Sequence, residues 1–527
     1  PWQGERKLQA AKPAGIFCCL DFMASVVDPD LRSPRAEVAR LPATLPISRV
    51  DFGEFSRDLL GNFRWLHEQH GPIAAIEDGG QQVVFLFSPE YNQQVLSDTE
   101  RFHARFFTIR GPKRSAQRRI TGGLLSMNGD QHRRNRRIVK EPFGLRAIST
   151  YSKPILRVTD DLLDSWQPGQ VCDIAEEMRQ YMLRVTSTLL FGMDDSEAAY
   201  RLGDMIANWV TRNHEVGVGA LVPSDKFLDG YEELLGLGEV LEAEVMAMIR
   251  HRRESPEQGN DVLSILVRTH AEEGGLSDEE LVGQAAVLFA AAHMTTAHSL
   301  TWTLFLLAQH PAVMRELSRE LGAGKQSAGR TMPKAIGSLP KGEELSLLDR
   351  VIKESMRVLP ASAYSQRMTT ESVKLGPLDL PRGTGIVFTP LIVHHLEELY
   401  PEPEKFLPDR WRTLRPSPYA YHPFGAGPRL CIGAPLATAI VRVALERILT
   451  RYRLSVVPGS NIGAHVESTM LFPTNGVPME IHPADGHYTS SRVAGNIHEL
   501  VDLEGPEPDL VKPSVANFGS VAPRKPR

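Results

Sequence analysis

Four cysteines occur in the 527 residues, and one of them stands where chemistry could be done. Cys431 lies in the stretch Phe424-Gly425-Ala426-Gly427-Pro428-Arg429-Leu430-Cys431-Ile432-Gly433. Thiolate is the metal-binding form of cysteine, and it forms where neighbouring dipoles or cations stabilise its charge. Gly425 and Gly427 admit backbone conformations closed to other residues, so the loop can fold tightly around a ligand. Successive N–H groups in such a loop can point at a thiolate. Arg429 sets a fixed cation where a cofactor carboxylate could sit. Gly433 precedes Pro435 and a helix expected over 436–450, which lets that helix start close against a flat cofactor. Cys18, Cys19 and Cys172 lack such surroundings and read as small buried hydrophobes.

Three further constellations carry polar groups at telling spacings. Glu354 and Arg357 sit at i, i+3, which alone describes an everyday surface ion pair worth ~0.2–0.5 kcal/mol. Yet the preceding Leu347-Leu348-Asp349-Arg350-Val351-Ile352 is apolar on the face that would be buried. His132 and Arg136, in His132-Arg133-Arg134-Asn135-Arg136-Arg137, share one helix face. Ser277-Asp278-Glu279-Glu280 is a capping box with acids in the first turn, a strong helix start. It opens a stretch, 281–309, free of Asp, Glu, Lys and Arg, inside which lies Ala291-Ala292-His293-Met294-Thr295-Thr296.

Taken with the cysteine loop, these segments resemble the cytochrome P450 family. The loop matches each fixed position of that family's haem-binding pattern, and the thiolate is the ligand that favours O–O cleavage in such proteins. The resemblance runs from about residue 51 to residue 483 and implies haem b as cofactor, with Cys431 on the metal. It implies that Phe424, Gly425, Arg429 and Gly433 shape the haem site, and that His132, Arg136 and Arg367 hold the propionates. Glu354, Arg357 and Arg410, the last in Pro408-Asp409-Arg410-Trp411, would form a buried network behind the haem. Ala291–Thr296 resembles the point where small residues open the central helix for oxygen. There the family uses an acid followed by Thr to relay protons. In this chain Thr295 and Thr296 are present, Ala292 replaces the usual Gly, and Met294 replaces the acid. A thioether cannot donate a proton. Water and Thr295 would then carry the relay, with His293 or His298 as possible helpers.

The elements that must position these residues follow from patterning. Ile73–Glu77 and Gln82–Phe87 around Asp78-Gly79-Gly80 read as a β-hairpin. Amphipathic helices are expected over 150–165, 174–191, 228–253 and 298–322, with short strands near 372–390, 453–457 and 477–482. Residues 1–45, with four prolines from Pro29 to Pro46, read as a loosely ordered leader extending to the start of the main domain, and Met23 as a candidate start. Residues 46–484 form the main domain, and 485–527 a disordered tail rich in Pro, Gly, Ser and charge. The fold class is mainly α with small β portions: the cytochrome P450 fold, haem between a long central helix and the cysteine loop.

Composition bounds the rest. Hydrophobic residues at 42% and charged residues at 23%, with a net charge of −5, exclude a strongly basic nucleic-acid or membrane-surface protein. Few, scattered cysteines argue against a disulfide framework and for a reducing, cytoplasmic setting. The apolar patch 14–27 is broken by Asp21 and falls short of the ~20 residues a span needs. The longer stretch 281–309 holds Gln284, His293, His298 and a Thr pair, and fits a helix buried in protein better than one in lipid. The expected activity is a monooxygenase that inserts one oxygen atom from O2 into an apolar organic substrate. Electrons would come from a separate ferredoxin or flavodoxin-type donor docking near Arg133, Arg137 and Lys140. The rivals are a peroxide-driven or isomerising enzyme of the same fold, a haem-binding protein without turnover, and, remotely, a scaffold without haem. Phe102, Phe106, Phe107 and the basic run 110–119 read as core aromatics and a solvated loop rather than a substrate roof.

Overall fold

The turn Asp78-Gly79-Gly80 sets the first sheet. Gly79 and Gly80 adopt φ of 54° and 87°, the left-handed pair that a tight hairpin turn requires. It joins strands β2 (Ile73–Asp78) and β3 (Gln81–Leu86), antiparallel, in a computed structural model of the chain. That structure describes residues 41–503 apart from 43, 105–108, 193–195, 220–224, 255–258, 272–274 and 328–344. Cys18, Cys19, Phe106, Phe107, the leader as far as residue 40 and the tail from 504 lie outside the described residues.

With β1 (Ile47–Arg49), β4 (Phe102–Ala104), β5 (Ser365–Thr369) and β6 (Gly385–Phe388), the hairpin makes a six-stranded sheet. Its order is β1-β2-β3-β6-β5-β4, with β1/β2 and β3/β6 parallel and the other pairs antiparallel. A separate hairpin, β7 (Ala464–Glu467) with β8 (Met470–Pro473), lies against the helical part.

Eight of the described helices position the site. These are α1 (Ala116–Ile120), α2 (Gly129–Val139), α3 (Ile174–Phe191), α4 (Ser196–Gly219), α5 (Asp225–Glu254), α6 (Asp278–Gln309), α7 (Leu347–Val358) and α8 (Ala434–Arg451). The expected capping box starts α6: Ser277 Oγ accepts from Glu280 N–H at 3.2 Å, and the Glu280 carboxylate accepts from Ser277 N–H at 2.8 Å. The helix then runs through the middle of the fold, packed by α1, α3, α4, α7 and α8. Being surrounded, it can be apolar on nearly every side. It ends at His310, where Pro311 starts a new helix, so the expected single helix over 298–322 is two.

Glycines set the closest approach to α6. A Cβ on Gly283 would come within 2.8 Å of the Arg119 carbonyl oxygen and 2.9 Å of the Gly123 nitrogen. The buried Gln284 accepts from Leu124 N–H at 3.1 Å and donates to Asn135 at 3.2 Å, which locks α2 beside α6. No described helix is long and apolar enough to cross a membrane.

The expected disorder from residue 485 does not hold for 485–503. Val493, Ile497, Leu500 and Val501 are buried, and Asn496 clamps both backbone groups of Ala464 at 2.7 and 2.8 Å. The polar average of this stretch hides four apolar anchors, and those anchors dock it beside β7. Residues 41 and 45 likewise belong to the body, since both leucines are buried. Phe102 is a core residue of β4, as expected.

Candidate active site

The cysteine loop folds as its glycines require. Gly425 and Gly427 have φ of 71° and 68°. Gly427 passes so close to the Leu96 carbonyl that any side chain would collide with it, whereas a Cβ on Gly425 would meet nothing within 4 Å. Cys431 N–H donates to the Phe424 carbonyl at 2.9 Å, which closes the loop. The thiol remains accessible, although the surrounding protein is dense enough that burial pushes its pKa up. Those two facts agree if the sulfur faces an internal space. Backbone N–H groups of Gly433 and Ala434 and the charge of Arg136 act the other way, favouring thiolate.

A second group of side chains gathers from four parts of the chain. His132 and Arg136 come from α2, Arg367 from β5 and Arg429 from the loop, while His103 on β4 joins through its ladder with β5. Arg429 donates to Asn128 Oδ1 at 2.7 Å and to the Met127 carbonyl. Arg367 donates to the Gln366 carbonyl at 2.6 Å. The Nε–H groups of Arg367 and Arg429 are nonetheless buried without a partner. Burial, then repulsion by Arg429, pushes Arg367 down to about 9, and burial, then Arg136, pushes Arg429 to about 10. His132 falls to about 4 through burial and then the charges of Arg429, Arg136, Arg367 and Arg133. Such a cluster calls for anions.

The carboxylate network is assembled in full. Glu354, with no exposed side-chain surface, accepts from Arg357 Nε and Nη2 at 3.0 and 2.9 Å and from Arg410 Nε at 2.9 Å. It also accepts from Trp411 Nε1 at 2.9 Å and Leu407 N–H at 3.0 Å. The spare donors of Arg357 go to the carbonyls of His394, Pro403 and Lys405.

Beyond the first turn of α6, the residues reachable by solvent fall on one side of the helix. Val287, Ala290, Ala291, Met294 and Thr295 recur at three- and four-residue steps, with Ala292 beside them, while most of the helix is buried. Thr295 Oγ1 donates to the Ala291 carbonyl at 2.7 Å, and the helix continues unbroken through this point. Thr296 is buried. His293 points away from the open sector: its Nε2 meets the Arg179 carbonyl on α3 at 3.1 Å, which removes it as a proton helper.

Several site residues escaped the sequence reading. Asn128 accepts from Ala104 N–H and donates to its carbonyl at 2.9 and 3.1 Å, tying α2, β4 and Arg429 together. The parts played by Trp411 and His103 went unread because their partners lie far off in sequence. Gln284 did carry a signal, an amide within an otherwise uncharged apolar helix. Of the basic residues of α2, Arg133 is paired with Glu100 and Asp130, and Arg134 with Glu280 at 2.9 Å. The Asp130–Arg133 pair follows from i, i+3 spacing, whereas the pairings of Arg133 with Glu100 and Arg134 with Glu280 had no local signature. Arg137 and Lys140 are exposed.

A thiol held by amides at one point and unpaired buried cations at another ask for one ligand that answers both. Haem b has groups suited to both, an iron and two propionates, and the residues present fit it. The family model described as cytochrome P450 matches residues 42–480, and the chain belongs to that family. It is 30% identical over 410 residues to cyclooctat-9-en-7-ol 5-monooxygenase of Streptomyces melanosporofaciens, covering 75% of this chain and 84% of the relative. Pentalenene oxygenase of Streptomyces avermitilis is also 30% identical, over 77% of this chain and 89% of its own. Among solved structures, a retinoic acid-bound cyanobacterial P450 superposes with a TM-score of 0.69 at 23% identity, covering 84% of this chain and all 100% of that one. The protein is therefore a haem-dependent P450 monooxygenase by family, using O2, an organic substrate and a redox partner.

Proposed function

We propose that this chain oxygenates an apolar, largely hydrocarbon substrate held against the open sector of α6. The observation that carries the reading is the accessible Cys431 thiol beneath amides of its own loop, with unpaired buried cations nearby. Cys431 would hold the iron through its sulfur, with Phe424, Gly425 and Gly433 shaping its side of the cofactor. His132, Arg136, Arg367 and Arg429 would bind the propionates. The bound haem supplies the activation of dioxygen. Val287, Ala290, Ala291, Ala292 and Met294 offer a wall of small or apolar groups, which suits hydrocarbon. The names of two relatives, one for a cyclic alkenol and one for pentalenene, agree with that choice.

Thr295 would hold water at the oxygen side. Its proton is committed to the Ala291 carbonyl, so its lone pairs remain to accept from water. Thr296 would support the same turn from the buried side. Met294 moves no proton, and this favours a second reading in which peroxide replaces O2 and reductant. Peroxide-supported turnover exceeding that with an electron donor would select it.

The electron donor would be an acidic, ferredoxin- or flavodoxin-type protein meeting Arg137 and Lys140. Arg133 contributes less than its charge suggests, since its guanidinium is already paired.

The test is the absorbance of the reduced, carbon monoxide-bound protein beside that of Cys431→Ser. The expected result is the red-shifted band from which the family takes its name in the wild type and its loss in the variant. Haem bound without that band in the wild type would overturn the thiolate assignment.

A further inference from the structure

The open sector of α6 does not stop at Thr295. Counted in the same steps, Ala291, Met294 and Thr295 are followed by His298, which lies at the sector's centre. The β7–β8 hairpin covers it there: the Phe472 ring meets the His298 ring edge-on at 4.3 Å between centroids. One turn further, Trp302 Nε1 donates to the Leu471 carbonyl at 3.1 Å and pins the hairpin down. His298 thus stands where the open part of the sector meets its lid.

Its polar atoms are not spent. His298 is 4% exposed, and its Nδ1 is buried without a hydrogen-bond partner. A buried polar group left in that state costs about 1–3 kcal/mol. Every other side chain along the sector is accounted for. Val287, Ala290, Ala291 and Met294 are apolar or a thioether, and the Thr295 proton is committed to Ala291. The charged and titratable groups that act on His298 are His293, which points elsewhere on the same helix, and His465 and Glu467 on β7, with His214 on α4 beyond Glu467. Burial comes first among the influences on it, followed by His293 and His465, with Glu467 opposing, and the ring is neutral at pH 7. A neutral imidazole can offer a donor or an acceptor by choice of tautomer. It suits an uncharged hydroxyl or carbonyl and gives no charge pairing to a carboxylate or an ammonium group.

We propose that His298 is a specificity-determining residue that anchors the single hydroxyl or carbonyl of an otherwise hydrocarbon substrate. The inference deepens the oxygenase reading above and rests on it. The substrate class is then narrower than hydrocarbon: a hydrocarbon alcohol or ketone, already oxygenated once. The enzyme would act after a reaction that installs that first oxygen function.

The experiment measures binding of matched probes to the holoprotein by equilibrium dialysis: cyclododecanol against cyclododecane, and cedrol against cedrane. Wild type, His298→Leu and His298→Gln are compared through the ratio of alcohol to hydrocarbon affinity, which cancels the different hydration of the probes. The expected result is a ratio lower by about tenfold or more in His298→Leu and largely restored in His298→Gln. A ratio unchanged by His298→Leu overturns the anchor, because a purely structural histidine would weaken both probes alike. Binding of neither pair to the wild type also overturns it. The reduced, carbon monoxide-bound spectrum is recorded on the same samples, so that failure of the family-level reading shows separately as a missing band.

Discussion

Arg367 is the most buried of the cations in its cluster. Its side chain lies over the Phe388 ring at 5.2 Å, one donor goes to a neighbouring carbonyl, and Nε is left over. An unpaired guanidinium in such a place destabilises the protein until an anion reaches it. Arg367→Leu should therefore have two opposite effects. Haem should be lost to a scavenging globin roughly 10- to 100-fold faster, the equivalent of a charge-assisted bond of about 1.5–3 kcal/mol. The melting temperature of the haem-free protein should stay level or rise. A fall in apoprotein stability without faster haem loss would refute the propionate role. The chemistry of Arg367 was readable only through family resemblance, since nothing in its neighbours Gln366 and Met368 marks it. By contrast Cys431 was legible from its own neighbours, because glycine and arginine types at fixed positions describe a thiolate-holding loop directly.

At the scale of elements, Glu354 decides how α7 meets the chain between residues 394 and 411. One carboxylate satisfies two arginines, an indole and a backbone amide, and its arginine partner satisfies three carbonyls. That segment has little regular structure of its own, so its backbone carbonyls depend on Arg357 for partners. Glu354→Gln removes the charge and keeps the shape, leaving Arg357 and Arg410 without a counter-ion. The expected loss is about 3–5 kcal/mol, seen as a lower urea midpoint, and poor haem incorporation should accompany it. A loss below about 1 kcal/mol would mean that water reaches the network. Helix existence and type were legible here because the apolar spacing is strong: the expected 174–191 coincides with α3, and the capping box marks the start of α6. The break at His310 was missed because apolar periodicity runs through Pro311, which is tolerated as the first residue of a new helix. Pairings between distant elements, such as Asn128 with Ala104 or Gln284 with Asn135, had no local signature to be read.

On the scale of the whole molecule, the interior holds an unusual store of neutral histidine, and this fixes how the protein should respond to acid. His293, His298 and His422 are each pushed from 6.5 to about 4, and His395 to about 3, with burial the first cause in every case. These rings come from the middle of α6, from the segment after α7 and from the stretch leading into the cysteine loop, so they report on the entire body. Their folded values are depressed, so the unfolded chain binds more protons between about 4 and 6.5. The stabilisation is therefore complete above about pH 6.5 and is lost as the pH falls from there towards 4. A fall from 6.5 to about 4 corresponds to an upper limit of about 3 kcal/mol, and the fall of His395 to about 3 corresponds to one of about 5 kcal/mol. Four such gaps would together exceed or match the ~5–15 kcal/mol by which whole proteins are stable. Cooperative unfolding should then occur before the rings reach their folded values, with an acid midpoint between about pH 4 and 6.5. Far-ultraviolet circular dichroism against pH, together with urea midpoints at several pH values, measures both quantities. His293→Phe should flatten the slope in that window, since the ring already lies tilted against Phe289 at 5.5 Å and a phenyl group needs no proton. Stability that holds level from pH 6.5 to 4 would mean that the rings are protonated inside the fold, and would remove the neutral His298 on which its choice of an uncharged substrate depends.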